Sequence, residues 1–366
     1  MKTALVHDWL NQIGGAENVL EALVGLFPAT PVYTSMYAPR IMPDSYRTWD
    51  IHTSFMQRLP GVAGHHQAYL PFYPLAFEQF DLSGFDLVLS NKSAFCHGVI
   101  TPPETLHVCY CLTPTRFLWM YEAYRQREGL GRMADLALRP VLAWLRLWDR
   151  LAAERVDHFI AISRAVQTRI KKFYGRDSAI IYPPVDVERF TPSNRAPGDY
   201  YLAGGRLIPY KRVDLAVAAF NQLELPLIVF GDGRDRAALQ DRAGANITFV
   251  GRVSWEELAQ LFQHCRAFIF PGLEDFGIAP LEAQATGRPV IAFAGGGALD
   301  TIIDGETGRL FYQPTAQALA DAVLALDVDQ VSPAACRRNA ERFSAERFRR
   351  ELMNFVDAKL VSDRRA

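Results

Sequence analysis

The sequence predicts an α/β protein built from two doubly wound domains. Three observations carry this. Short, apolar, β-prone runs alternate with helix-forming stretches along nearly all of the 366 residues. The alternation starts twice: Thr3 to Val6 leads into Gly14-Gly15 and a helix, and Tyr200 to Ala203 leads into Gly204-Gly205 and a helix. A proline-stiffened stretch, Pro183-Pro184-Val185-Asp186, parts the two series. Alternating strands and helices cover both faces of a parallel sheet, and such sheets bind ligands beyond the carboxyl ends of their strands.

The length suits two ordinary domains, and 49% hydrophobic content gives each a core. A formal net charge of −1 argues against a general nucleic-acid binder. Five cysteines, Cys96, Cys109, Cys111, Cys265 and Cys336, lie mostly in apolar runs. They read as buried reduced thiols of a cytoplasmic protein. A metal cluster of Cys96, His97, His107, Cys109 and Cys111 is the sharper alternative, but alternating strand residues point apart and no C-x2-C pair exists. The run Met1 to Asp8 is too short for a signal peptide, and no uncharged apolar stretch reaches the ~18 residues of a membrane span.

In the first series, His7 and Asp8 end the opening strand, where they are set either to contact an acceptor or to hold a loop. Gly14-Gly15 turns into a helix over Ala16 to Leu26. Residues 55–80 carry ten large apolar or aromatic side chains broken by Pro60, Pro71 and Pro74, which reads as a loop or broken helix. Phe85 to Ser90 and Leu106 to Cys111 are strands. Gly131 to Asp157 forms a long amphipathic helix with Arg139, Arg146, Arg150 and Arg155 beside leucines and tryptophans. It suits either core packing or docking on an anionic membrane face. His158 to Ile162 and Ser178 to Tyr182 are strands around a helix capped by Ser163.

In the second series, Gly204-Gly205-Arg206 runs through Lys211 into a helix over Val213 to Leu223. Two cations in a glycine-bearing strand-to-helix loop read as more than surface charges, since a guanidinium fork and an ammonium together can stabilise negative charge on a bound group. Leu227 to Phe230 and Ile247 to Val250 are strands, and Ser254 with Glu257 forms a capping box. Asp232 and Asp235 flank a basic turn and make no convincing D-x-D metal motif.

The chain centres on Phe270 to Ala292, which reads as strand, turn, helix, glycine stop, strand. Glu274 precedes the turn and Glu282 follows one helical turn inside. The amides of Gly277, Ile278 and Ala279 lie at a helix N-terminus, an anion site by virtue of unpaired N–H groups and the helix dipole. Carboxylates beside an anion site make sense for a phosphate joined to hydroxyl-rich sugars.

Glu274 and Glu282, with Gly14-Gly15-Ala16-Glu17, Arg206 and Lys211, resemble the E-x7-E signature of retaining family-4 glycosyltransferases with GT-B architecture, two Rossmann-like domains facing across a cleft. The resemblance covers nearly the whole chain. It implies residues 1–184 as an acceptor domain, 185–343 as a sugar-nucleotide domain, and 344–366 as a helix returning to the first. It implies a nucleoside-diphosphate sugar as donor, GDP-mannose or a UDP-sugar, with no cofactor or metal. Arg206, Lys211 and Glu274 would carry catalysis. Gly14, Gly15, Gly205, Arg252, Val253, Phe276, Gly277, Ile278, Ala279 and Glu282 would join them in holding the donor, with Glu282 on the ribose. His7, Asp8, Thr113 and Arg116 would meet a glycan or polyprenyl-linked acceptor.

One departure stands out. Relatives read C-H-T-P-x-R, whereas this chain has Leu112 where the histidine belongs. Leucine makes no hydrogen bond, so altered sugar specificity, a shifted acceptor or lost activity competes as the explanation. The mannosyltransferase-like members of polysaccharide assembly, working at the cytoplasmic membrane face, are the nearest expectation. A non-catalytic nucleotide-sugar binder and a GT-B epimerase are the other classes.

Overall fold

The computed structural model describes residues 1–122, 132–193 and 196–363. Gly131, placed above in the long helix, and residues 364–366, placed above in the returning helix, lie outside them. The chain divides into two units, one formed by Met1–Tyr182 with the chain from Arg349 onward, the other by Pro183–Phe348.

The first unit holds seven strands: β1 (Thr3–His7), β2 (Val32–Thr34), β3 (Ile51–Thr53), β4 (Leu87–Lys92), β5 (Leu106–Cys111), β6 (His158–Ala161) and β7 (Ser178–Ile180). They pair in the order β3-β2-β1-β4-β5-β6-β7, parallel throughout. β1, β4 and β5 are buried on both faces, which is why they read as continuous apolar runs. β2 and β3, three residues each, gave no periodic signal and were not anticipated. The aromatic stretch is a chain of short helical turns: Phe55–Arg58, Val62–His65, His66–Phe72 and Tyr73–Glu78. Met56, Tyr73 and Phe77 enter the core with Phe95 and Leu145, while Phe72 and Leu75 stay exposed. The long helix spans Arg132–Glu154. Its core side carries Leu142, Leu145 and Asp149, and Leu136, Trp144, Leu147 and Leu151 are exposed. Phe355, in the last helix (Ala345–Asp363), meets the ring of His158 edge-on.

The second unit holds β8 (Tyr201–Arg206), β9 (Leu227–Asp232), β10 (Ile247–Gly251), β11 (Phe268–Phe270), β12 (Val290–Phe293) and β13 (Gly308–Phe311). They order as β10-β9-β8-β11-β12-β13, again parallel. Helices Val213–Leu223 and Ala316–Ala325 pack on one face, burying Ala216, Phe220, Leu319 and Val323 against Val229, Ile269 and Ile291. The Ser254–Glu257 capping box forms as the sequence indicated. Both sheets reverse strand order once: at β1/β4 in the first and β8/β11 in the second. Chain leaving adjacent strands there diverges to opposite faces and opens a crevice.

All five cysteines are buried free thiols. Among the described residues no group of three or more His, Cys, Asp or Glu is arranged to hold a metal ion, and no helix is long and apolar enough to cross a membrane.

Candidate functional site

The second unit's reversal point carries the Arg206–Lys211 loop and the central signature. β8 pairs with β11 at Leu202 and Ala203, so the loops leaving their carboxyl ends are neighbours. Past β8, Pro209–Lys211 makes a tight 3-10 turn. Past β11, Gly272 slides under it: a Cβ there would stand 2.8 Å from the Tyr210 carbonyl oxygen and 2.9 Å from that of Lys211. The close approach is open only to glycine. It brings Lys211 Nζ to 2.5 Å from Glu274 Oε1, with both side chains largely shielded from water. Arg206 is exposed, and its guanidinium donates to the Tyr210 hydroxyl at 3.1 Å.

Gly277, at φ +92°, turns the chain into the helix Ile278–Ala285 without a side-chain cap. No intrahelical acceptor exists for the first amides of a helix, so those of Gly277, Ile278 and Ala279 are available to a ligand. Gly277 is buried, and Ile278 and Ala279 are half-buried. A second glycine turn, Gly295–Gly297, closes over the signature. The Gly297 amide donates to the Glu274 carbonyl at 2.9 Å. A Cβ on Gly296 would lie 1.9 Å from that carbonyl oxygen, and one on Gly297 would lie 2.1 Å from the Phe276 carbonyl oxygen. Phe276 is buried against the ring of Phe343.

Glu282 is buried in the first turns of the same helix. Burial pushes its carboxyl up to about 7, with Arg189 and Lys211 pulling it down and Asp186 pushing it up. Arg252 is exposed, with Nε 3.5 Å from Asp232, and Val253 beside it is half-buried. Gly205, at φ +113°, precedes Arg206 at the end of β8.

In the first unit, Gly14 and Gly15 open the helix Gly15–Leu26 beside the end of β1. His7 is buried, its Nδ1 3.2 Å from the Asn91 amide nitrogen and its Nε2 3.5 Å from Glu17. Of the two readings of Asp8, acceptor contact and loop hydrogen bonding, the geometry fits the second and corrects the first: the side chain is fully buried and serves the loop after β4. Its Oδ2 accepts from the amides of Ser93 and Ala94 and from the Ser93 hydroxyl, and its Oδ1 from the amides of Phe95 and Cys96. Five donors consume the carboxylate. Thr113 is buried with its hydroxyl on the Pro114 carbonyl, and Arg116, half-buried, opens the short helix Arg116–Trp119. Leu112 is buried, its amide donating to the Lys92 carbonyl.

Several neighbours of these residues were missed. Tyr210 supports Arg206, and Asp186 and Arg189 surround Glu282 from the link after Pro184. Lys92 and Asp149 are wholly buried below the Thr113–Trp119 loop. No spacing in the sequence marks them, because each meets its partners only through the folded chain.

Two family models match in adjoining stretches: "Glycosyltransferase Family 4" over residues 13–189 and "Glycosyl transferases group 1" over 186–343. An uncharacterised glycosyltransferase of Methanocaldococcus jannaschii is 25% identical over 204 residues, covering 54% of this chain and 58% of that protein. The D-inositol 3-phosphate glycosyltransferase of Mycobacterium tuberculosis is 30% identical over 249 residues, covering 60% and 50%. The chain therefore spans about half of the length of the curated relatives it matches. Among solved structures, Anabaena HepE with UDP and glucose aligns at TM-score 0.71 and 18% identity, over 98% of this chain and 99% of that one. Sucrose-phosphate synthase of Thermosynechococcus elongatus aligns at 0.70 and 19%, over 98% and 100%. These similarities show the fold, two parallel-sheet α/β domains of GT-B type. With the family models adjoining from residue 13 to residue 343, the chain belongs to the family-4 glycosyltransferases of GT-B type.

Proposed function

We propose that this protein is a retaining glycosyltransferase that moves a hexose from a nucleoside-diphosphate sugar to a glycan or lipid-linked acceptor in cell-surface polysaccharide synthesis. The observation that carries the reading is the meeting of Lys211, Glu274 and the Gly277–Ala279 helix start at one strand-order reversal. Cations and amides there match a diphosphate, and carboxylates match sugar hydroxyls.

Lys211 and Arg206 take the diphosphate charge as the glycosidic bond to phosphate breaks, and the helix amides add to them. Glu274 holds a donor-sugar hydroxyl and stabilises positive charge at the anomeric carbon. Glu282 takes the ribose, and Arg252 and Val253 edge the base. Phe276, Gly205, Gly14 and Gly15 complete the donor set. Arg116 meets the acceptor, with the buried Thr113 and His7 supporting that side of the site. The leaving phosphate accepts the acceptor's proton on the same face, so no protein base is assigned. Positive groups of the chain itself carry the role a metal plays elsewhere, which supports metal-independent transfer.

The donor is a UDP-sugar or GDP-mannose. The HepE structure with UDP and glucose favours testing UDP-glucose beside GDP-mannose. Residues 1–184 act as the acceptor domain and 185–343 as the donor domain. The exposed Leu136, Trp144, Leu147 and Leu151, flanked by Arg139 and Arg150, suit peripheral docking at the cytoplasmic membrane face. Sedimentation with phosphatidylglycerol vesicles, weakened by Leu147→Glu, tests that part.

The deciding experiment measures melting-temperature shifts with UDP, GDP and a panel of sugar nucleotides without added metal, then transfer to farnesyl-diphosphate-linked sugars. A nucleotide-specific rise, lost in Lys211→Ala and Glu282→Ala, and turnover with one donor are expected. Binding without turnover for any acceptor would favour the second reading, a non-catalytic nucleotide-sugar binder, which Leu112 motivates. Donor consumption without acceptor would point to an epimerase.

A further inference from the structure

The long helix Arg132–Glu154 sends one carboxylate into the core below the acceptor-side loop. Asp149 is fully buried. Its Oδ1 lies 2.8 Å from Thr115 Oγ1, and its Oδ2 accepts from Trp119 Nε1 at 2.6 Å and from the Tyr174 hydroxyl at 2.7 Å. Thr115 precedes the short helix Arg116–Trp119 and Trp119 ends it. One carboxylate therefore grips both ends of the turn that carries Arg116. Arg146, one helical turn earlier, adds a bond from Nε to the Leu118 carbonyl at 2.6 Å.

The opposite charge is Lys92, also fully buried, with Nζ 3.9 Å from Asp149 Oδ1. That ammonium donates to Thr115 Oγ1 at 3.2 Å and to the Thr113 carbonyl at 3.4 Å. His97 closes the cluster through Nε2, 3.1 Å from the Asp149 carbonyl. Burial pushes the Lys92 ammonium's pKa down, but nearby negative charge, Asp149 first, leaves it above its ordinary value. Two buried charges held this way cost desolvation energy that an apolar pair would not. Tyr174 also donates to Asp149, and the other side-chain hydrogen bonds of the pair converge on Thr113, Thr115 and Trp119.

We propose that Asp149 and Lys92 form a positioning pair that sets the acceptor-side loop and thereby aims Arg116. The inference rests on the reading of Arg116 as an acceptor contact. Asparagine is a poorer partner than Asp149: it carries no charge for Lys92, and its amide offers one acceptor oxygen, so it cannot accept on the Thr115 side and from Trp119 and Tyr174 at once.

The test uses the full chain with three variants: Asp149→Asn, Asp149→Glu, and the paired Lys92→Met/Asp149→Leu. The pair removes both charges together and so leaves no single buried charge uncompensated, which a change at one position would. Hydrogen exchange of amides 115–120 and the Trp119 indole N–H resonance report the loop. UDP binding reports the donor half. Acceptor KM and kcat are read with farnesyl-diphosphate-linked hexose. The paired variant is expected to keep UDP binding within twofold, lose protection across 115–120, and raise acceptor KM at least tenfold with a smaller change in kcat. Asp149→Glu should recover part of that loss. Parent-like protection of 115–120, or parent-like acceptor KM, in the folded paired variant overturns the proposal. Arg116→Ala separates the two claims: parent-like transfer there sinks the acceptor reading, whereas impaired transfer there with a parent-like paired variant sinks the positioning role alone.

Discussion

Lys211 Nζ and Glu274 Oε1 stand 2.5 Å apart, each side chain less than one-fifth exposed. The pair joins the loops leaving β8 and β11. Without a ligand the ammonium is neutralised by the carboxylate, and a diphosphate arriving there competes for the same cation. Lys211→Ala and Glu274→Ala should each cut transfer at least tenfold, a loss of about 1.4 kcal/mol or more of transition-state stabilisation. Far-UV circular dichroism should be unchanged. Glu274→Gln should separate the two roles: UDP should bind more tightly, because a competitor for Lys211 has gone, while turnover falls. Normal turnover in Glu274→Gln would remove Glu274 from the mechanism.

Glu282 makes stability and donor affinity depend on pH. Its carboxyl sits near 7 in the folded chain against an ordinary value of 4.5, because of burial. The folded state thus holds a proton that the unfolded state has released. Stability is greatest below about pH 4.5 as far as this group is concerned, and falls as pH rises toward 7, by roughly 3 kcal/mol in all. Glu282→Gln should flatten that part of the profile and raise the melting temperature at pH 8. UDP-glucose, which has no proton to lose in this range, should bind better above pH 7, where the carboxylate accepts both ribose hydroxyls. Calorimetry at pH 6 and 8 reads the difference, and an affinity independent of pH in the parent would remove Glu282 from the ribose.

The Gly295–Gly297 turn sits against the backbone of the signature. Gly297 has an ordinary helical φ of −71°, so alanine there is objectionable only for space. Its Cβ would meet the Phe276 carbonyl oxygen at 2.1 Å. The Gly297→Ala change should cost about 1–3 kcal/mol by overpacking and should displace Glu274. UDP affinity is expected to drop at least tenfold, measured by the same calorimetry.

Asp8 acts on stability. Replacing it with asparagine puts an N–H donor against backbone amides that now find a carboxylate, and should cost about 2–4 kcal/mol. Urea denaturation followed by tryptophan fluorescence gives the shift. Nucleotide binding should persist at low temperature in this variant, unlike Lys211→Ala, because Asp8 and the Lys211–Glu274 pair belong to different units.

The alternating β/α pattern, the glycine turns and the Ser254–Glu257 cap were legible in the sequence because each is local, whereas Arg206, Lys211, Glu274 and Glu282 were singled out by loop spacing together with the family resemblance. Buried parallel strands announce themselves as unbroken apolar runs, and caps and turns need particular residue types within a few positions. The three-residue strands β2 and β3 were invisible, since so short a run has no period to detect. What the folded chain alone decided is who meets whom. Asp8 sits at a strand end that suits a ligand, yet the neighbouring β4 brings it the amides of Ser93 to Cys96, 85 to 88 residues away. Lys211 reaches Glu274 across 63 residues only because Gly272 lets two backbones touch. Lys92 and Asp149 carry no motif at all. Their partners are set by sheet order and helix packing, long-range contacts that local residue chemistry does not encode.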